Sequence, residues 1–140
     1  MEYQKFENAV LLRLDRGEEI VSSIHRVCEA EGIMLGSITG LGAVERAVVG
    51  LYKVAEQQYY PSTLTGEMEI TGLTGNVTQK DGKVYLHIHA NFADETGAVQ
   101  GGHLTEAVVS ATSELVIRAI PGTVGRKLDE SIGLNVLKFD

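Results

Sequence analysis

Tryptophan is absent from this 140-residue chain, cysteine occurs once, proline twice and histidine four times. The lone Cys28 cannot close an internal disulfide, so a packed core must hold the fold, and a reducing, cytoplasmic setting is expected. No apolar run approaches the roughly 18 to 20 residues that a bilayer-crossing helix needs. No basic leader with an apolar centre opens the chain either, so no membrane role is expected. Positive charge is also scarce: 12 Lys and Arg stand against 19 Asp and Glu, giving a net charge of −7 and a pI near 5.1. Such a chain repels polyanions and anionic surfaces. It also lacks the runs of basic residues interleaved with aromatics that mark single-strand binders. Direct DNA binding is therefore disfavoured unless folding or assembly gathers a local basic patch.

What is present belongs to an ordinary globular chain: 44% hydrophobic and 22% charged residues, enough for one core and a single domain over residues 1–140. Sixteen glycines punctuate the apolar runs, which favours many turns and short strands. Ala9 to Leu14 reads as a strand. Asp15 and Glu18 have the spacing of a capping box, Ile20, Val21, Ile24, Val27 and Cys28 recur at helical spacing, and Gly32 supplies the stop. Residues 33–52 read as a pair of strands bent by glycines, and 54–64, polar and aromatic with one proline, as a loop. Alternation from Gly66 leads to a hairpin turn at Asp81-Gly82, and the strand Val84 to Ala90 follows. A short apolar segment, a strong strand ending near Ile120, a turn at Pro121-Gly122 and a strand from Leu134 complete the chain. The sum is an α+β fold, a mainly antiparallel sheet of about seven or eight strands with one long helix.

Two motifs carry little. His25 and Cys28 lie three apart on the helix, a spacing open to a nucleophile and its base but better read as a buried cysteine beside a surface histidine. Gly40-Leu41-Gly42 hints at a dinucleotide loop, but Glu45 occupies the third glycine position and no clear helix follows.

The ordered set "SITGLGAVERAVVGLY", "LTGEMEITGLTGNV", "HIHANFADETGAVQGGHL" and "LDESIGLNVL" resembles the plant and prokaryote conserved (PPC) domain, in its stand-alone prokaryotic form. The resemblance implies a compact α+β domain that assembles as a homotrimer, and it brings the description "predicted DNA-binding protein". Plant members carry a Gly-Arg-Phe-Glu-Ile-type motif that supports protein partner binding. Gly66, Glu69 and Ile70 match it, whereas Glu67 and Met68 depart and reverse the charge at position 67. The AT-hook, the basic segment of plant members that contacts the minor groove, has no counterpart here.

Three of the four histidines fall in "VYLHIHANFADETGAVQGGHL". His87 and His89 share a strand face, about 7 Å apart at ~3.4 Å per residue. If Glu95-Thr96-Gly97 closes a three-residue hairpin, Asp94 lies opposite Ala98 and His89 opposite His103, and all three imidazoles share one face. A four-residue loop turns His103 away. Gly101 and Gly102 beside the cluster either let a ligand or another subunit approach the backbone or mark a bulge. Converging neutral imidazoles with a vacant position suit Zn²⁺ or another divalent transition metal. Asp94 and Glu106 are candidates to orient a ligand imidazole. The expectation is thus a trimeric binding or regulatory module with a metal site. The alternatives are a DNA-associated transcriptional regulator and a metal-dependent enzyme using Glu69, Asp94 or Glu106 as base.

Overall fold

The computed structural model describes residues 1–139. These residues form eight strands and one long helix: β1 (Glu2–Lys5), β2 (Ala9–Asp15), α1 (Ile20–Glu31), β3 (Gly36–Lys53), β4 (Gln58–Lys80), β5 (Lys83–Ala93), β6 (Val99–Ala119), β7 (Gly125–Asp129) and β8 (Leu134–Lys138). The first six strands form an antiparallel sheet in the order β1-β2-β6-β3-β4-β5, and a further β5–β6 pairing closes four of them into a barrel. Strands β7 and β8 form a separate two-stranded ribbon.

Helix α1 forms where its periodicity predicts. Ile20, Ile24, Val27 and Cys28 make its buried stripe, which packs against β6 and β5, and Gly32 ends it in the left-handed conformation. Its start differs from the capping-box expectation. Glu18 does reach back to the Asp15 amide at 2.9 Å, but the helix begins at Ile20, and the Glu19 carboxylate caps it by accepting from Val21 and Ser22. The same carboxylate accepts from the Ala107 amide on β6 at 3.1 Å, so one side chain fixes the helix start to the barrel wall.

Long strands replace several shorter expected pieces. Residues 36–53 are one strand with irregularities at Gly40/Gly42 and Val44/Arg46 rather than two strands, because glycine and bulges bend β3 without breaking its pairing to β4 and β6. The expected loop at 54–64 is a short 3₁₀ turn, Val54–Glu56, followed directly by β4. Pro61 is accommodated because this part of β4 pairs only with β3, leaving its other side an edge. The segment before Ile120 is likewise one 21-residue strand, β6.

Both predicted hairpin turns form. Asp81 (φ 54°) and Gly82 (φ 76°) take the doubly left-handed turn that suits the strand twist. The core lies inside the barrel and beneath α1: Leu12, Leu14, Ile38, Ile88, Phe92, Leu115 and Ile117 are all at most 2% exposed. No helix among the described residues is long and apolar enough to cross a membrane.

Candidate metal centre

The β5–β6 hairpin closes through Glu95-Thr96-Gly97. The Asp94 amide donates to Ala98 O at 3.0 Å, the Gly97 amide donates to Asp94 O at 2.9 Å, and Gly97 is left-handed at φ 79°. The register that follows sets His89 opposite His103. One row of paired residues then runs Thr74, His89, His103, Gly50, Pro61, crossing β4, β5, β6, β3 and again β4. His87 stands on the same face one step away, opposite Asn76.

The three rings meet. Their centroids lie 5.1 Å (His87–His89), 5.3 Å (His87–His103) and 5.6 Å (His89–His103) apart, and one nitrogen from each falls within 4.8 Å of the others. The Nε2 atoms of His87 and His89 are 3.2 Å apart. Two nitrogens bound tetrahedrally to one Zn²⁺ at ~2.0 to 2.1 Å must themselves lie about 3.3 Å apart. The pair therefore already holds the spacing that such an ion requires. Nδ1 of His103 is buried and has no hydrogen-bond partner among the described residues. A buried polar atom left in this way is costly, and a ligand or ion is one means of satisfying it.

The protonation state of two of the rings suits ligation. Burial first, then the neighbouring His89 and Arg126, lowers the pKa of His87; burial first, then His87 and His89, lowers that of His103. Both rings are thus held neutral, the form that can ligate.

The other sequence candidates lie apart from the imidazoles. Asp94 sits at the hairpin turn, where its carboxylate accepts from the Thr96 amide (2.8 Å), the Thr96 hydroxyl (2.6 Å) and the Ala98 amide (3.1 Å). These bonds lower its pKa and commit it to shaping the turn. Glu106 pairs with Arg46 across the β3–β6 ladder. Neither carboxylate bonds a histidine, because both spacings carry the chain away along its strand. Gly66 and Glu69 belong to an acidic cleft near the Asp94 turn, with Glu67 and Glu95, and Ile70 is a core residue at 5% exposure. Gly101 and Gly102 do permit close approach, but of the chain to itself. A Cβ on Gly101 would collide with Ala90 O and Asn91, and one on Gly102 would lie 2.8 Å from Gly50 O.

Four neighbours escaped the sequence reading. The Tyr59 ring lies 5.2 Å from that of His103 and 5.0 Å from that of Tyr52, so an aromatic wall flanks the cluster. Burial, then Tyr85 and Tyr52, raises the Tyr59 pKa. Tyr85 was legible in principle, since it precedes His87 by two on the same strand face. Tyr52, Tyr59 and Arg126 were not, because only the curl of the β3–β4 hairpin and the docking of β7 bring them near.

The profile of the Plants and Prokaryotes Conserved (PCC) domain matches residues 1–121. No curated protein sequence matches the chain. Among solved structures, a candidate DNA-binding protein from Bacteroides thetaiotaomicron is 29% identical with a TM-score of 0.96, covering 99% of this chain and 96% of that one. A metal-containing protein from Archaeoglobus fulgidus is 36% identical with a TM-score of 0.86, covering 99% and 100%. A plant- and prokaryote-conserved protein from Pyrococcus horikoshii is 29% identical, also with a TM-score of 0.86, covering 99% and 94%. With the profile extending from the first strand to the end of β6, and a fold shared over nearly the whole length, the chain belongs to the Plants and Prokaryotes Conserved domain family.

Proposed function

We propose that this protein is a trimeric binding or regulatory module whose working site is a divalent transition metal, Zn²⁺ or a similar ion, held by His87, His89 and His103. The observation that carries the reading is the 3.2 Å separation of the His87 and His89 nitrogens with His103 completing the group. Three imidazoles leave a tetrahedral ion one open position for water or a ligand. The metal-containing character of the Archaeoglobus fulgidus relative supports the same reading. Elemental analysis of purified protein tests it: about one metal per chain is expected, and His89→Ala should lose it. A metal-free wild type, or undiminished metal in His89→Ala, overturns the site. The trimer rests on the family resemblance, and light scattering tests it; a monomer mass of about 15.1 kDa overturns it.

A second reading, association with DNA, is favoured by the description of the Bacteroides thetaiotaomicron relative. The net charge of −7 opposes it as a direct activity, so DNA contact would run through a protein partner or a basic face created by assembly. A mobility-shift titration against salt decides: phosphate contacts weaken steeply as salt rises, and no binding at low salt removes direct recognition.

A further inference from the structure

The C-terminal ribbon β7–β8 lies outside the segment that the family profile matches, yet it is tied to both flanks of the histidine site. At one end the Gln79 amide donates to Val124 O at 3.1 Å, and Arg126 Nε donates to the Thr78 hydroxyl at 2.8 Å. At the other, the Tyr52 hydroxyl donates to Ile132 O at 2.8 Å and Gln57 donates to Glu130 O at 3.2 Å. Tyr52 packs on Tyr59, and Tyr59 on His103. The ribbon thus bridges from the β4–β5 side of the cluster to its aromatic wall.

Arg126 is the residue that this bridge delivers. Its guanidinium stacks over Tyr85 at 4.5 Å, and Tyr85 pairs with Thr78, one same-face step of about 7 Å from His87. It uses two of its five N–H groups, one on the Thr78 hydroxyl and one on Asn135 O at 2.9 Å. No carboxylate lies within salt-bridge distance of it among the described residues, although the chain carries 19 acidic groups to 12 basic ones. A half-buried arginine held rigid by stacking and hydrogen bonds, with N–H groups to spare, is pre-organised for a planar anion.

We propose that Arg126 is the anion-gripping arm of the metal centre, so that the molecule filling the open metal position is a small organic acid, with one oxygen donor on the ion and a carboxylate on Arg126. The proposal rests on the metal reading above. No covalent step is involved: the acid replaces metal-bound water and exchanges hydration for the guanidinium N–H groups. Arg126 is a specificity-determining residue, and the ribbon is the element that sets ligand class.

The test uses the full chain loaded with Co²⁺, whose visible absorption reports ligand exchange at the ion. Succinate, whose two carboxylates offer one group for the ion and one for Arg126, is titrated against acetate, which has only one, and against neutral succinamide. Wild-type protein should bind succinate about 10-fold or more tightly than acetate, the range expected of a charge-assisted hydrogen bond of ~1.5 to 3 kcal/mol. Succinamide should bind no better than acetate. In Arg126→Gln the succinate-to-acetate ratio should fall to near one while acetate affinity stays within about threefold; Arg126→Lys should restore part of the ratio. Because the ratio is taken within one protein, a loss of fold or metal occupancy moves both acids together and does not imitate the effect. An unchanged ratio in Arg126→Gln, or succinamide binding as tightly as succinate, overturns the proposal with the metal site intact. Failure of the wild type to take up Co²⁺ overturns the metal reading itself, and with it the proposal.

Discussion

On β5, Val84, Ile88, Ala90 and Phe92 face inward, each at most 9% exposed, while Tyr85, His87, His89 and Asn91 face the outside of the barrel. The inner face is determined by area: apolar surface must leave water, and several residue types of similar volume would serve. The outer face follows no such rule. Ordinary polar residues would solvate it, yet three imidazoles crowd together there at ring distances of 5.1 to 5.6 Å. Among the described residues the Nδ1 of His103 has no hydrogen-bond partner, and burial weakens the protonation of two of the rings. One face contributes stability and the other tolerates a local cost, the pattern expected where a site rather than a core is being kept.

The largest contrast should come from truncating each face in turn. Phe92→Ala opens a cavity in the barrel and should cost ~3 to 5 kcal/mol in denaturant unfolding, with metal stoichiometry unchanged wherever the variant is folded. His103→Ala should do the reverse: metal affinity falls by more than about 100-fold, beyond the 10- to 100-fold typical of residues that only orient a ligand. Metal-free stability should change little, as read by competition with a chelator and by thermal unfolding. If His103→Ala destabilises the metal-free fold as much as Phe92→Ala, the distinction between the faces collapses.

Gly101→Ala links the two faces, since the added methyl meets Ala90 O and Asn91 in the strand pairing that sets His89 against His103. It should cost ~1 to 3 kcal/mol and lower metal affinity together, whereas the cap variant Glu19→Ala should cost about 1 kcal/mol and leave affinity alone. Acid provides a graded version of the same comparison. His87 and His103 have folded pKa values below their ordinary 6.5, so the unfolded chain binds protons first as pH falls. Metal-free stability should therefore decline as pH drops through 6.5, continue declining toward the folded values, and flatten below them. His87→Gln should shrink that slope. The smallest effect belongs to Cys28, whose burial pushes its thiol up to about 12: alkylation at neutral pH should be negligible in native protein and complete in denaturant.

Much of the site was legible because its spacing is local. Gly97 supplies the left-handed residue that a three-residue hairpin demands, and counting back along two strands brings His89 to His103. Asp94 and Glu106 stand apart from the imidazoles because nearness in sequence is distance along an extended strand, and each has a partner where it stands, at the turn and on Arg46. Pro61 and the tyrosines before it suggested a loop, but the tolerance of an edge strand for proline depends on which neighbour is missing.

From the sequence alone came the helix stripe, the two turns, the alternation of the strands and the shared face of the three histidines, all of which depend on periodicities of a few residues. Only the tertiary structure decided that β5 and β6 close a barrel. It alone set Gly102 of β6 against Gly50, and laid Tyr59 on His103 and Arg126 over Tyr85. Those contacts join residues tens of positions apart, and their partners are chosen by the curl of long strands and the docking of a ribbon, for which short-range spacing contains no rule.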